Sequence, residues 1–127
     1  LLSGYGGKGL GMISAQDGSI AGDMTSVDAS GKERTHWGFL TQATYKATSS
    51  IMLGVNYGQS RQENSDYDKT IATISQIKSQ EAGTGTITYN LNKFTQFIAE
   101  YSYAQNTWHN NAKQHSNQFA LGTMFYW

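Results

Sequence analysis

The 127-residue sequence contains no cysteine and no proline. Without cysteine there is no disulfide framework and no thiolate metal site. Charge is scarce: 14% of residues carry it, and nine Lys/Arg balance nine Asp/Glu. That balance argues against a nucleic-acid partner, which selects a Lys/Arg excess. No apolar run approaches the ~18 residues of a spanning helix. No signal peptide opens the chain, and the Leu-Leu-Ser start fits a mature N-terminus or a fragment boundary. The length allows one domain at most, or a piece of one.

What the sequence does have is a period of two. In the final stretch QFALGTMFYW, Phe119, Leu121, Thr123, Phe125 and Trp127 alternate with Gln118, Ala120, Gly122, Met124 and Tyr126. Successive strand side chains face opposite ways, so one face is bulky and the other smaller. The pattern recurs upstream, with Leu40 and Ile98 on the unexpected side. The expectation is an all-β, antiparallel chain of about six strands, near 9–16, 37–48, 51–62, 76–91, 94–105 and 115–127. The facing of the first strand is ambiguous, and no stretch carries a helical stripe.

The connections set a rhythm. The turns at 47–51 and 90–94 are tight, the loops at 17–36 and 63–75 are long, and the link at 106–115 is intermediate. Short turns at one end and long loops at the other are the pattern of a transmembrane β-barrel. With the tight turns on the periplasmic side, the large side chains sort by height. Trp37, Phe39, Tyr57, Tyr101, Tyr103 and Phe119 fall toward the outer rim. Tyr45, Tyr89, Phe97, Phe125 and Trp127 fall toward the inner rim. Thr41, Ala43, Val55, Ala99 and Leu121 lie between them. Aromatic belts flanking an aliphatic band suit a lipid-facing surface.

The ending GTMFYW, with Gly122, Phe125 and Trp127, resembles the C-terminal assembly signal of Gram-negative outer-membrane proteins. Ala120 stands where one variant of that motif has a large polar residue, and the terminal aromatic is Trp rather than the commoner Phe. The whole chain is similar to the last third of an outer-membrane porin, nearest to the DcaP-like trimeric porins. The resemblance implies a bacterial outer-membrane location, contact with lipid and lipopolysaccharide, and recognition by the barrel-assembly machinery. It also implies a homotrimer and passage of small anionic or dicarboxylate solutes.

Six strands are too few to close a filled barrel, and unpaired strand edges in hydrocarbon cost several kcal/mol per group. Either further strands hide in LLSGYGG or in 17–36, or the chain belongs to a larger barrel. A parent of about 16 strands is the favoured reading. The even-numbered set then lines a water-filled diffusion channel: Gln42, Thr44, Lys46, Asn56, Lys78, Gln80, Thr84, Thr86, Thr88, Gln96, Glu100, Ser102 and Gln118. Its charged members are Lys46, Lys78 and Glu100. They either pair and staple the wall, or give a mild anion preference.

The remaining motifs have bland readings. Asp17 and Asp23 in DGSIAGD miss the Ca²⁺-loop spacing. GYGGKGLG lacks the Ser/Thr and the helix of a phosphate loop, and reads as loop or flexible strand. His36, His109 and His115 fall near loop ends as solvated histidines. His109 and His115 could meet across a hairpin, but they make no metal site without a carboxylate. No spacing suggests a catalytic triad, so no enzyme, metal or cofactor is expected. Two alternatives reverse or remove the pore. One is a soluble lipocalin- or avidin-like ligand-binding barrel, and the other is a non-conducting membrane anchor or adhesin.

Overall fold

The computed structural model describes residues 1–10, 27–71 and 77–127. They form one six-stranded antiparallel sheet in strict chain order. Its strands are β1 (Leu2–Lys8), β2 (Thr35–Lys46), β3 (Ile51–Gln62), β4 (Ile77–Asn92), β5 (Thr95–Trp108) and β6 (Lys113–Phe125). The sheet is open, with β1 and β6 at its two edges. The one helical element described is a single 3₁₀ turn at Asp68–Thr70.

Local chemistry sets the turns. After β2, Thr48 Oγ1 accepts the backbone N–H groups of Ser50 (3.2 Å) and Ile51 (3.0 Å). Between β4 and β5, Asn92 Oδ1 accepts the N–H of Phe94 at 2.8 Å. Such side chains mimic a backbone turn and fix a tight reversal. Asn111 takes a positive φ of 64° in the β5–β6 turn, a conformation that Asn tolerates better than most residues.

The register carries the two-residue period across the whole sheet. Ala43 pairs with Val55, Val55 with Gly85, Gly85 with Tyr101, and Tyr101 with Phe119. Directly opposed residues share a face. From β2 to β6 the odd residues therefore form one continuous surface, face A. The even residues form the other, face B.

The first strand departs from expectation. The first strand described is Leu2–Lys8; of the strand expected at 9–16, Gly9 and Leu10 lie outside β1 and 11–16 fall outside the described residues. Its parity is also reversed, since Leu2 pairs with Thr41 and Tyr5 with Gly38. Face A of β1 thus carries Leu2, Gly4 and Gly6, and face B carries Ser3 and Tyr5. Gly38 is what admits Tyr5. A Cβ there would lie 2.6 Å from Tyr5 Cε1 and 2.7 Å from the Gln59 carbonyl oxygen. With Gly38 bare, the Tyr5 ring crosses β2 and its hydroxyl hydrogen-bonds Ser60 on β3.

There is little conventional core. Ile77 is the buried apolar side chain among the described residues. Large apolar side chains lie open on face A instead, including Val55 (58% exposed), Phe119 (67%) and Leu121 (75%). Every residue of β6 is exposed.

Candidate functional site: the polar face and its outer cap

Face B carries the polar set that the alternation foretold. One row runs Gln42, Asn56, Thr84, Ser102, Gln118, and the next runs Thr44, Gly54, Thr86, Glu100, Ala120. Gln80 pairs with Asn106, and Gln96 pairs with Asn90 and donates to its side chain at 2.7 Å. Hydroxyls hold Glu100: Thr86 Oγ1 donates at 3.3 Å and Ser102 Oγ at 3.4 Å. Ser102 Oγ also bonds Thr84 Oγ1 at 3.0 Å.

Lys78 leaves the set. A bulge between Ile77 and Ser79 puts Ile77, not Lys78, opposite Trp108. A bulge adds one residue and shifts the alternation behind it. Ile77 therefore occupies the face-B position expected for Lys78. The ion pairs among the described residues are Arg34–Asp68, Arg61–Glu63 and Lys69–Asp66. Lys46 and Glu100 do not staple each other, and Glu100 stands as a lone carboxylate amid hydroxyls.

The end of face B nearest the 27–34 and 63–71 loops is capped. His36 and Gln62 are fully buried on this face, whereas their face-A neighbours Trp37 and Arg61 are only half-buried. The cover therefore lies over face B. Arg34, 3% exposed, makes a fork with Asp68, 2% exposed: Nε–H donates to Oδ2 at 2.7 Å and Nη2–H to Oδ1 at 2.8 Å. Nη1–H donates to the Val27 carbonyl at 2.9 Å. The Ser65 hydroxyl donates to Asp28 at 2.5 Å, tying the 27–34 segment to 63–71 a second time.

His36 is thus corrected from a solvated loop residue to a buried member of β2. Its Nδ1 lies 3.1 Å from the Arg34 carbonyl oxygen and its Nε2 lies 3.1 Å from Gln62 Oε1. His109 reaches the same cap, with Nε2 3.5 Å from Gln62 Nε2. His115 is elsewhere, stacked on Tyr103 with ring centroids 6.2 Å apart. The two histidines do not meet, and no metal-holding cluster occurs among the described residues. GYGGK is strand, not a phosphate cradle. The Asp17–Asp23 motif lies outside the described residues.

The cap's electrostatics favour ionised carboxylates and a neutral imidazole. The Arg34 hydrogen bonds, opposed by burial, hold the Asp68 carboxyl below its usual range. Burial pushes the Asp28 carboxyl up, but donors from Ser65, Ser30 and Lys32 outweigh it and hold the group well down. His109 is lowered to about 4, first by burial and then by the Arg34 charge.

Face A has an internal boundary. Below it lie Ile51, Leu53, Val55, Ile87, Ala99 and Leu121. Above it the residues are Gln59, Glu81, Gln105 and His115, in one row. Aromatic polar atoms point to that upper layer. Tyr57 Oη donates to Glu81 at 3.0 Å, Tyr101 Oη to Asn117 at 2.6 Å, and Tyr103 Oη to Gln105 at 3.2 Å. Trp37 Nε1 donates to Glu63 at 3.2 Å, under the Arg61 guanidinium at 5.9 Å. Phe39, Tyr45, Tyr89, Phe97, Phe119 and Phe125 lie on the same face, while Gly122 lies on face B and Trp127 is fully exposed just past β6.

The aromatic limits slide across the ladder. The row through Trp37 passes Arg61, Ser79 and Thr107 to reach Lys113 on β6. The outermost aromatic on β6, Phe119, lies six residues further along. The row through Tyr45 reaches Leu121, and the inner β6 aromatics Phe125 and Trp127 lie four and six residues beyond it. At about 3.3 Å per residue and about 4.8 Å between strands, that slide over four steps is a tilt of about 35–45°.

Compared with known families, curated proteins and solved structures, the chain finds no match.

Proposed function

We propose that this chain is a segment of an outer-membrane β-barrel that encloses an aqueous channel for small hydrophilic solutes. Face A meets lipid, and face B lines the water-filled interior. The observation that carries this reading is the slide of both aromatic limits. A planar bilayer cuts a tilted sheet obliquely, so both limits of the lipid-facing band must drift together. The tilt obtained matches the 35–45° of membrane barrels. The band from Trp37 to Tyr45 is nine residues, as is that from Phe119 to Trp127, and about 9–11 tilted residues cross a bilayer.

Face B supports the channel half of the proposal. Its hydroxyls and amides suit water, and the inward cap narrows one end without filling the wall. Unpaired edges do not persist in hydrocarbon, so β1 and β6 pair with further strands of a larger barrel, of about 16 strands by the porin resemblance. That resemblance also brings the trimer, the lipopolysaccharide contact at the outer rim and the assembly machinery into the proposal. The dicarboxylate preference has less behind it. With Lys78 displaced by the bulge, Lys46 alone faces Glu100 on the wall.

A soluble ligand-binding barrel would hide face A and wet face B. The open side chains of β6 and the capped outer end of face B favour the membrane reading. The test is reconstitution of the whole protein that carries this segment into lipid vesicles and planar bilayers. Detergent-dependent solubility with discrete ion conductance supports the channel. Solubility without detergent returns the soluble barrel, and insertion without conductance returns the anchor.

A further inference from the structure

Below the cap, face B holds a cavity of about 530 Å³ whose lining includes Tyr5, Leu40, Asn56, Ser60, Gln80 and Ala82. Its volume falls within the ~300–1,000 Å³ of small-molecule sites. Three features of its lining define the ligand. First, the wall is apolar where the rest of face B is polar: Leu40 is 40% exposed and Tyr5 39% exposed, beside Gly58 and Ala82 in the Leu40 row. Leu40 breaks the alternation, and an apolar patch in a wet wall carries a hydration cost unless something covers it. Second, the side-chain amides of Asn56 and Gln80 make no hydrogen bond among the described residues, and each offers two donors and an acceptor. Third, no charged side chain is among the described residues that line the cavity.

Resting on the reading of face B as the channel wall, we infer that this cavity is a binding site for a neutral, polyhydroxylated solute with one apolar face, of the pyranose type. The C–H face of the ring lies against Tyr5 and Leu40, and its hydroxyls pair with the Asn56 and Gln80 amides. A charged solute finds no counter-charge among the described lining residues and loses hydration without return. A purely apolar solute leaves both amides unpaired in a desolvated contact, which costs affinity. Gly38 holds the site's shape, because only a bare backbone there lets the Tyr5 ring lie across β2 and reach Ser60.

The experiment is ion current, in a planar bilayer, through the whole protein that carries this segment, with maltose or glutarate added. Maltose reduces the current in a saturable way and glutarate at equal concentration does not. Asn56→Ala with Gln80→Ala raises the half-blocking maltose concentration at least tenfold. Ala82→Asp, which places a charge in the neutral lining, abolishes the block while current persists. Current without saturable maltose block overturns the site and leaves the channel standing, as does a half-blocking concentration unchanged in the double variant. Absence of any current overturns the channel reading, and the site with it.

Discussion

Asp68→Asn isolates the strongest contact in the cap. Two short charge-assisted bonds join its carboxylate to Arg34, at 2.7 and 2.8 Å, and both side chains are almost completely buried. Removing the anion leaves a buried guanidinium uncompensated, a loss of about 3–5 kcal/mol. At about 1.4 kcal/mol per decade, the cap opens roughly 10² to 4 × 10³ times more often. Amide hydrogen exchange in the lipid-reconstituted protein reads this directly at Ser65, Asp68 and Ile71, whose N–H groups are bonded inside the 63–71 loop. These amides exchange faster by that factor, while the central amides of β4 and β5 do not change. Arg34→Met with Asp68→Leu recovers most of the protection, because a buried apolar pair carries no desolvation penalty. Unchanged exchange in Asp68→Asn, or a double variant no better than the single, refutes the reasoning. The same pair sets an acid limit. The folded Asp68 carboxyl titrates below its unfolded value, so its contribution is complete above about pH 4. It is lost as pH falls through the depressed value.

Other outcomes follow from the same geometry. His109 is lowered to about 4 by burial and the Arg34 charge. The unfolded loop therefore binds the proton first, and cap protection declines as pH drops from about 6.5 toward 4; His109→Gln flattens that slope in hydrogen exchange. Gly38→Ala forces a methyl against Tyr5 and the Gln59 carbonyl and destabilises by about 1–3 kcal/mol. Gly85→Ala, with open space around the new methyl, stays within about 0.5 kcal/mol, and urea unfolding in lipid vesicles compares the two. Glu100→Gln removes the lone mid-wall carboxylate and shifts the reversal potential under a salt gradient toward anions. Lys46→Glu shifts it toward cations, and unchanged potentials in both remove these residues from the channel's selectivity.

Much of the sheet was legible because period two is a local signal. The ends of β2 to β6 fall within three residues of the expected ranges, and the odd/even division holds across those strands except at the two ends of β4, where the register shifts. β1 was not legible. LSGYGGK has four small residues in seven and no alternation, so its pairing with β2 defines it. The cap was equally hidden, since Arg34 and Asp68 are distant in sequence and polar partners leave no periodic trace. The bulge at Lys78 is a feature of the pairing with β5, where Ile77 lies opposite Trp108, and pairing leaves no mark in the alternation of β4 alone. His36 could have been found. It continues the even set of β2 through Gly38 and Leu40, and the proximity of a loop obscured that parity.

The central claim is that odd-numbered side chains of β2 to β6 meet acyl chains and even-numbered ones meet water. Single nitroxide labels at Leu53, Leu121, Gln42 and Gln118 in lipid-reconstituted protein measure it through relaxation by oxygen, which partitions into lipid, and by a water-soluble nickel chelate. The account predicts oxygen-dominated relaxation at Leu53 and Leu121, and chelate-dominated relaxation at Gln42 and Gln118. Labels at 53 and 121 shielded from both reagents, with 42 and 118 open to bulk buffer, would contradict it.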